Sequence, residues 1–142
     1  MVRQRCTSEQ GFTLIELLVV MIIIGLLASL VAPKMFNKVD SSKIKTARAQ
    51  IELLGTALDS YRLDNSMYPT TQQGLAVLRT RPDAVKTWDG PYLPKDIPLD
   101  PWGNRYVYKA PGEHNEYDLT SYGADGKVGG EDDAADINSW EN

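Results

Sequence analysis

Five carboxylates crowd the C-terminal part of the chain: Asp125, Glu131, Asp132, Asp133 and Asp136, in a segment rich in glycine. Oxygen donors at that density suit a hard cation. A loop that glycine allows to curl suits calcium better than magnesium, which demands a stricter octahedron. Asp125 and Asp136 have the spacing of the two ends of an EF-hand loop, but Lys127 and Gly129 occupy its interior ligand positions, so the segment is not one. The same composition also describes a solvated acidic tail. Ile137 and Trp140 argue instead that the end folds back onto a core. One further carboxylate, Glu16, lies inside an apolar run that opens at Phe12. An acidic side chain in lipid costs about 2.5–3.5 kcal/mol even on insertion scales, so a lasting one needs a partner.

Other chemistry is poorly provided for. His114, the single histidine, stands in a turn-like "GEHN" where solvent exposure is expected. The only cysteine is Cys6, and no Ser/His/Asp spacing suggests a triad. "GADGKVGG" has the lysine of a phosphate loop, but Val128 stands where Ser or Thr should follow it and Ser121 where the first glycine should be. The chain reads as a non-enzyme. Its net charge is −4, and from Pro111 onward nine acidic residues face Lys127 alone, which disfavours nucleic-acid binding. A lone cysteine permits no intramolecular disulfide, so a small exported domain needs another staple.

Glu16 would be positioned by a helix. Phe12 to Ala32 is 21 residues with Glu16 the only formal charge. At about 1.5 Å per residue that is roughly 31 Å, close to the ~30 Å core of a bilayer. Arg3 and Arg5 precede it, which predicts a single-pass membrane segment with a cytoplasmic N-terminus. A cleaved secretory signal fits less well, because Leu30 and Pro33 would flank a cut after Ala32 and Glu16 does not belong in its apolar region. Cys6 has no apolar run before it, which disfavours a lipoprotein signal.

Beyond Pro33 the helical stripe continues. Ile44, Ala47, Ile51, Leu54, Leu58 and Tyr61 step by three and four, while Lys43, Lys45, Arg48 and Glu52 fall off that line. This amphipathic helix should pack on a sheet and end near Asn65, where turn formers gather. "TTQQGLAVLRT" suggests a short helix capped by Thr70 or Thr71. Residues 82–101 contain five prolines and read as an irregular covering loop. "DPWG" fits a type I turn, and "NRYVYK" and "EYDLTSY" an antiparallel hairpin joined by "APGEHN". The predicted fold class is α+β, a long N-terminal helix on a small antiparallel sheet.

"GFTLIE" before a long apolar stretch resembles the type III signal of type IV pilins and pseudopilins. "LDNSMYPTTQQGL", "LPKDIPLDPWGNRYVY", "SYGADGK" and "ADINSW" narrow the resemblance to the general secretion pathway protein G family, the major pseudopilins of type II secretion. That resemblance implies a cytoplasmic leader over 1–11, a membrane helix over 12–32 and a periplasmic domain over 33–142. It implies that a prepilin peptidase cuts between Gly11 and Phe12 and methylates the new amine, and that Glu16 meets the amine of a neighbouring subunit. It implies unwinding between Gly25 and Pro33 in the filament. It also implies calcium in the C-terminal loop in place of a disulfide. Asp125 and Asp136 best match the carboxylate positions, with backbone oxygens of Tyr122 and Lys127 beside them, and Glu131, Asp132 or Asp133 open as the completing group. The implied partners are copies of the chain itself, minor pseudopilins and an inner-membrane assembly platform, and the implied function is a periplasmic fibre that drives export of folded proteins. A type IV pilin or competence-type pseudopilin is the nearest alternative, and a membrane-anchored calcium-binding module that never polymerises is the alternative of another class.

Overall fold

The structure, a computed structural model, describes residues 11–141, with the side chains of residues 31–38 excepted. Cys6, Arg3 and Arg5, and with them most of the expected leader, lie outside the described residues. Two compact units divide the chain, Met1–Lys38 and Val39–Asn142. One helix, α1 (Leu14–Asn65, 52 residues), contributes to both.

From Leu17 to Leu30 the helix presents apolar side chains on every face. Leu14, Leu17, Val20, Ile24 and Leu27 are all exposed, Leu14 and Met21 at 88% and 72%. The expectation of a single-pass inner-membrane helix is corrected here: among the described residues, no helix is long and apolar enough to cross a membrane. Glu16 delays the uncharged run to Leu17, and Lys34 ends it. At about 1.5 Å per residue those residues span roughly 26 Å, short of the ~30 Å required.

In the second unit the stripe read from sequence becomes the core. Ala47, Leu54 and Leu58 are wholly buried, Ile51 and Tyr61 nearly so, and Ala57 joins them. They pack with Leu78, Leu93, Tyr106, Tyr108, Leu119 and Ile137 in one apolar cluster. Each such aliphatic side chain contributes about 1.5–3 kcal/mol by leaving water. Gly55 sits mid-helix because a Cβ there would lie 2.9 Å from the Tyr117 hydroxyl. The helix ends where expected. The Asn65 side-chain amide donates to the Tyr61 carbonyl, and Ser66 turns the chain at φ 64° in the left-handed position usual for glycine.

The sheet is small and antiparallel, in the order β1 (Val107–Lys109), β2 (Asp118–Ser121), β3 (Ile137–Asn138). Tyr108 pairs with Leu119, and Ser121 with Ile137. The fold is α+β, an N-terminal helix packed on a small antiparallel sheet. The expected helix after Thr70 is reduced to a turn and a short 3-10 stretch, Leu75–Leu78. Gly74 at φ 61° interrupts it, while Thr70 and Gln73 exchange capping bonds within the turn. The proline-rich loop does cover the core: Leu93 is buried, and the Trp88 indole donates to the Val77 carbonyl at 2.7 Å.

Candidate functional site

At the N-terminal end, Gly11 and Phe12 precede α1 and are exposed, Phe12 at 85%. Their shared peptide therefore stands outside the helical hydrogen-bond ladder. Thr13 caps the helix. Its backbone N–H and its hydroxyl lie 3.2 Å from Glu16 Oε2, and the Glu16 N–H donates to the Thr13 hydroxyl at 3.3 Å. This is a capping box, in which cap and carboxylate satisfy each other's exposed groups. Glu16 thus has a local role that the apolar context concealed, although the Thr-x-x-Glu spacing was there to be read. The bonds use Oε2, and a carboxylate has acceptor capacity beyond them.

The acidic segment is folded rather than a loose tail. The Ala124 N–H donates to the Asp133 carbonyl at 2.9 Å, and β3 follows directly after Asp136. Asp125 is exposed and accepts the Lys127 N–H through Oδ1 at 3.0 Å. Asp136 is half-buried and accepts the Gly129 N–H through Oδ2 at 2.9 Å. Its other oxygen, Oδ1, is buried with no hydrogen-bond partner. Asp132 and Glu131 are exposed, Asp132 at φ 54°, and Asp133 is half-buried. Tyr122 is half-buried and Lys127 exposed. Among the described residues, no group of three or more acidic, histidine or cysteine side chains is placed to hold a metal ion.

Two clusters beside this segment were not visible in the sequence. Asp100, only 4% exposed, accepts N–H groups of Trp102 and Asn104 through Oδ1 and the Ser121 hydroxyl through Oδ2 at 2.6 Å. The "DPWG" turn is confirmed by the Gly103 N–H donating to the Asp100 carbonyl. His114 is exposed but not isolated: its ring stacks on Trp140 with centroids 4.0 Å apart, and Nδ1 lies 3.2 Å from Asp118 Oδ2. Burial raises the Asp118 carboxyl. The N–H groups of Glu113, His114 and Asn115 and the His114 ring outweigh it, so the group lies below the usual aspartate value. These contacts tie the C-terminal end to the hairpin turn. His114 and Trp140 are too distant in sequence for their stacking to be read from it.

Comparison with known proteins places these features in context. Residues 34–140 match the family profile described as type II secretion system (T2SS), protein G, and residues 6–32 match the prokaryotic N-terminal methylation motif. The chain is 47% identical over 138 residues to the type II secretion system core protein G of Pseudomonas aeruginosa, covering 95% of this chain and 97% of that protein. It is 43% identical to the Vibrio cholerae core protein G, covering 96% and 95% of the two chains. For the Escherichia coli core protein G the identity is 46%, with 96% and 94% covered. Among solved structures, the major pseudopilin from the type 2 secretion system of enterohaemorrhagic Escherichia coli superposes with a TM-score of 0.59. That likeness has 37% identity, over 75% of this chain and 92% of that one.

Proposed function

This chain belongs to the type II secretion system protein G family and is a structural, non-catalytic subunit of the pseudopilus, and from that premise we propose how it polymerises. The first part of α1 is the surface that neighbouring copies cover, and Glu16 is the charge that registers them. The observation that carries this reading is the all-round exposure of apolar side chains from Leu14 to Leu30, far beyond what a solitary soluble domain tolerates. Association that covers them releases apolar area at about 25 cal/mol per Å2.

Processing supplies the partner charge. A prepilin peptidase cuts between Gly11 and Phe12, which stand exposed ahead of the helix, and methylates the freed amine of Phe12; the matched methylation motif supports this. The amine of one subunit then meets Glu16 of the next, a charge-assisted contact among apolar side chains. Minor pseudopilins and the assembly platform are the further partners, and a periplasmic fibre that moves folded proteins is the product. The N-terminal mass of the protein isolated from its producing cell tests the processing step. Loss of residues 1–11 with one added methyl group is expected. The full leader retained on the assembled protein would overturn it.

Calcium fits the acidic segment, in the role other small exported domains give to a disulfide. Asp125 and Asp136, with backbone oxygens of Tyr122 and Lys127, would hold it, and Asp132 or Asp133 would complete the oxygen set. The buried, unpartnered Asp136 Oδ1 is the observation in favour, since a buried carboxylate oxygen without a donor costs free energy until a cation meets it. Bound calcium would neutralise crowded carboxylates and pin the segment. At a hundredfold excess over Kd, binding to the folded state alone adds about 2.7 kcal/mol. Melting the full chain with calcium, with magnesium and with chelator tests this: a rise with calcium alone is expected, and equal melting in all three would reject it.

A further inference from the structure

Asp100 and Ser121 form a buried polar pair close in sequence to the acidic segment, Asp100 at 4% exposure and Ser121 at none. Its geometry has a direction. Asp100 Oδ1 is occupied by the N–H groups of Trp102 at 3.1 Å and Asn104 at 2.8 Å, which hold the carboxylate within its own turn. Oδ2 lies 2.6 Å from the Ser121 hydroxyl. A carboxylate only accepts, so Ser121 must donate its single proton there, which leaves the hydroxyl's lone pairs for another donor. The Gly123 N–H takes that place at 3.3 Å. Meanwhile the Asn104 side-chain amide donates to the Gly123 carbonyl at 2.9 Å.

Gly123 is gripped from the other side as well. It sits at φ 60°, and a Cβ would meet the Asp133 carbonyl oxygen at 2.8 Å and Ala135's at 2.9 Å. The peptide joining Tyr122 to Gly123 is planar and trans, so its N–H and C=O point in opposite directions. With the N–H turned to Ser121, the Tyr122 carbonyl is turned away from Ser121 and Asp100.

We infer that the buried relay from Asp100 through Ser121 to the Gly123 N–H, with Asn104 on the Gly123 carbonyl, positions the Tyr122 carbonyl as a cation ligand. Asp100, Ser121 and Asn104 are positioning residues: they touch the backbone that binds, not the ion. This rests on the calcium reading above. It also explains why a carboxylate is buried there instead of an amide. An asparagine at 100 would keep its oxygen on the two turn N–H groups and aim its NH2 at Ser121. The hydroxyl would then receive two donors, the amide and the Gly123 N–H, and its own proton would lose its acceptor. Groups that orient a ligand from behind typically alter metal affinity by about 10–100-fold when removed.

The experiment uses the purified full chain in mild detergent, with calcium alone as the probe. Melting in calcium and in chelator is compared for wild type, Asp100→Asn and Ser121→Ala, and calcium affinity is read by titration. Both variants are expected to melt lower in chelator, and also to lose about half or more of the calcium-dependent rise, with Kd weakened about tenfold or more. A merely structural network would lower both melting temperatures together and leave the rise and Kd intact, which would overturn the inference while the calcium reading stood. If Asp100→Asn does not fold, Ser121→Ala, which removes one hydroxyl, decides alone. A wild-type chain without any calcium-dependent rise would end the calcium reading, and this inference with it.

Discussion

The two ends of α1 use the same kinds of side chain for opposite purposes. From Ile44 to Tyr61 the apolar residues, Leu53 excepted, keep largely to one stripe, and the sheet and proline-rich loop of the same chain bury it. From Leu14 to Leu30 they occupy every face, and nothing in the described chain covers them. A one-sided stripe specifies a fold, because one partner surface suffices. An all-round apolar helix needs partners on all sides, and a chain of this size does not supply them. The difference separates folding from assembly along a single helix, and each half can be broken without the other.

The largest effect belongs to the stripe. Leu58→Ala removes a fully buried side chain and should lower unfolding stability by about 2–5 kcal/mol, read by denaturant titration of the full chain. Ile22→Ala, on the exposed half, should leave that stability within about 0.5 kcal/mol while reducing the number and length of fibres seen by electron microscopy. Equal loss of stability from both would erase the distinction between the two halves.

Acid should act on the second unit through the hairpin turn. Asp118 titrates below its ordinary 3.8 in the folded state, so the unfolded chain takes up its proton first as pH falls. The contribution is therefore complete above pH 3.8 and is lost as pH drops through that value toward the lower folded one. Asp118→Asn should flatten this acid limb of the melting curve, and an unchanged limb would show that the turn's N–H groups do not set it. The most local effect is expected at the helix start. Thr13→Ala removes the cap but keeps Glu16, and should cost about 0.5–2 kcal/mol locally, seen as faster hydrogen exchange over residues 14–17.

What the sequence disclosed follows the range of the interactions. The stripe, the stop at Asn65, the turn at Asp100 and the hairpin were legible because each is written in residues a few positions apart. Strand β3 was not, since Ile137–Asn138 is too short to display a period, although Ile137 and Trp140 did signal that the end folds back. The relay from Asp100 to Ser121 and the stacking of His114 on Trp140 join residues 21 or more positions apart that carry no shared pattern. Glu16 was legible as an anomaly in an apolar run. Its partner Thr13 stands three residues earlier inside the "GFTLIE" stretch, where the apolar neighbours mask the Thr-x-x-Glu capping spacing.

Glu16 has two roles here, cap and charge, and one substitution divides them. Glu16→Gln keeps an oxygen for the Thr13 cap, as capping boxes accept either residue, and removes only the charge offered to the neighbouring amine. Fibres formed by this variant and by wild type in the same producing cells, counted by electron microscopy, test the central claim. The account predicts that Glu16→Gln accumulates as folded protein with wild-type melting and forms few or no fibres. Fibres in wild-type number and length would show that the charge does not register the subunits.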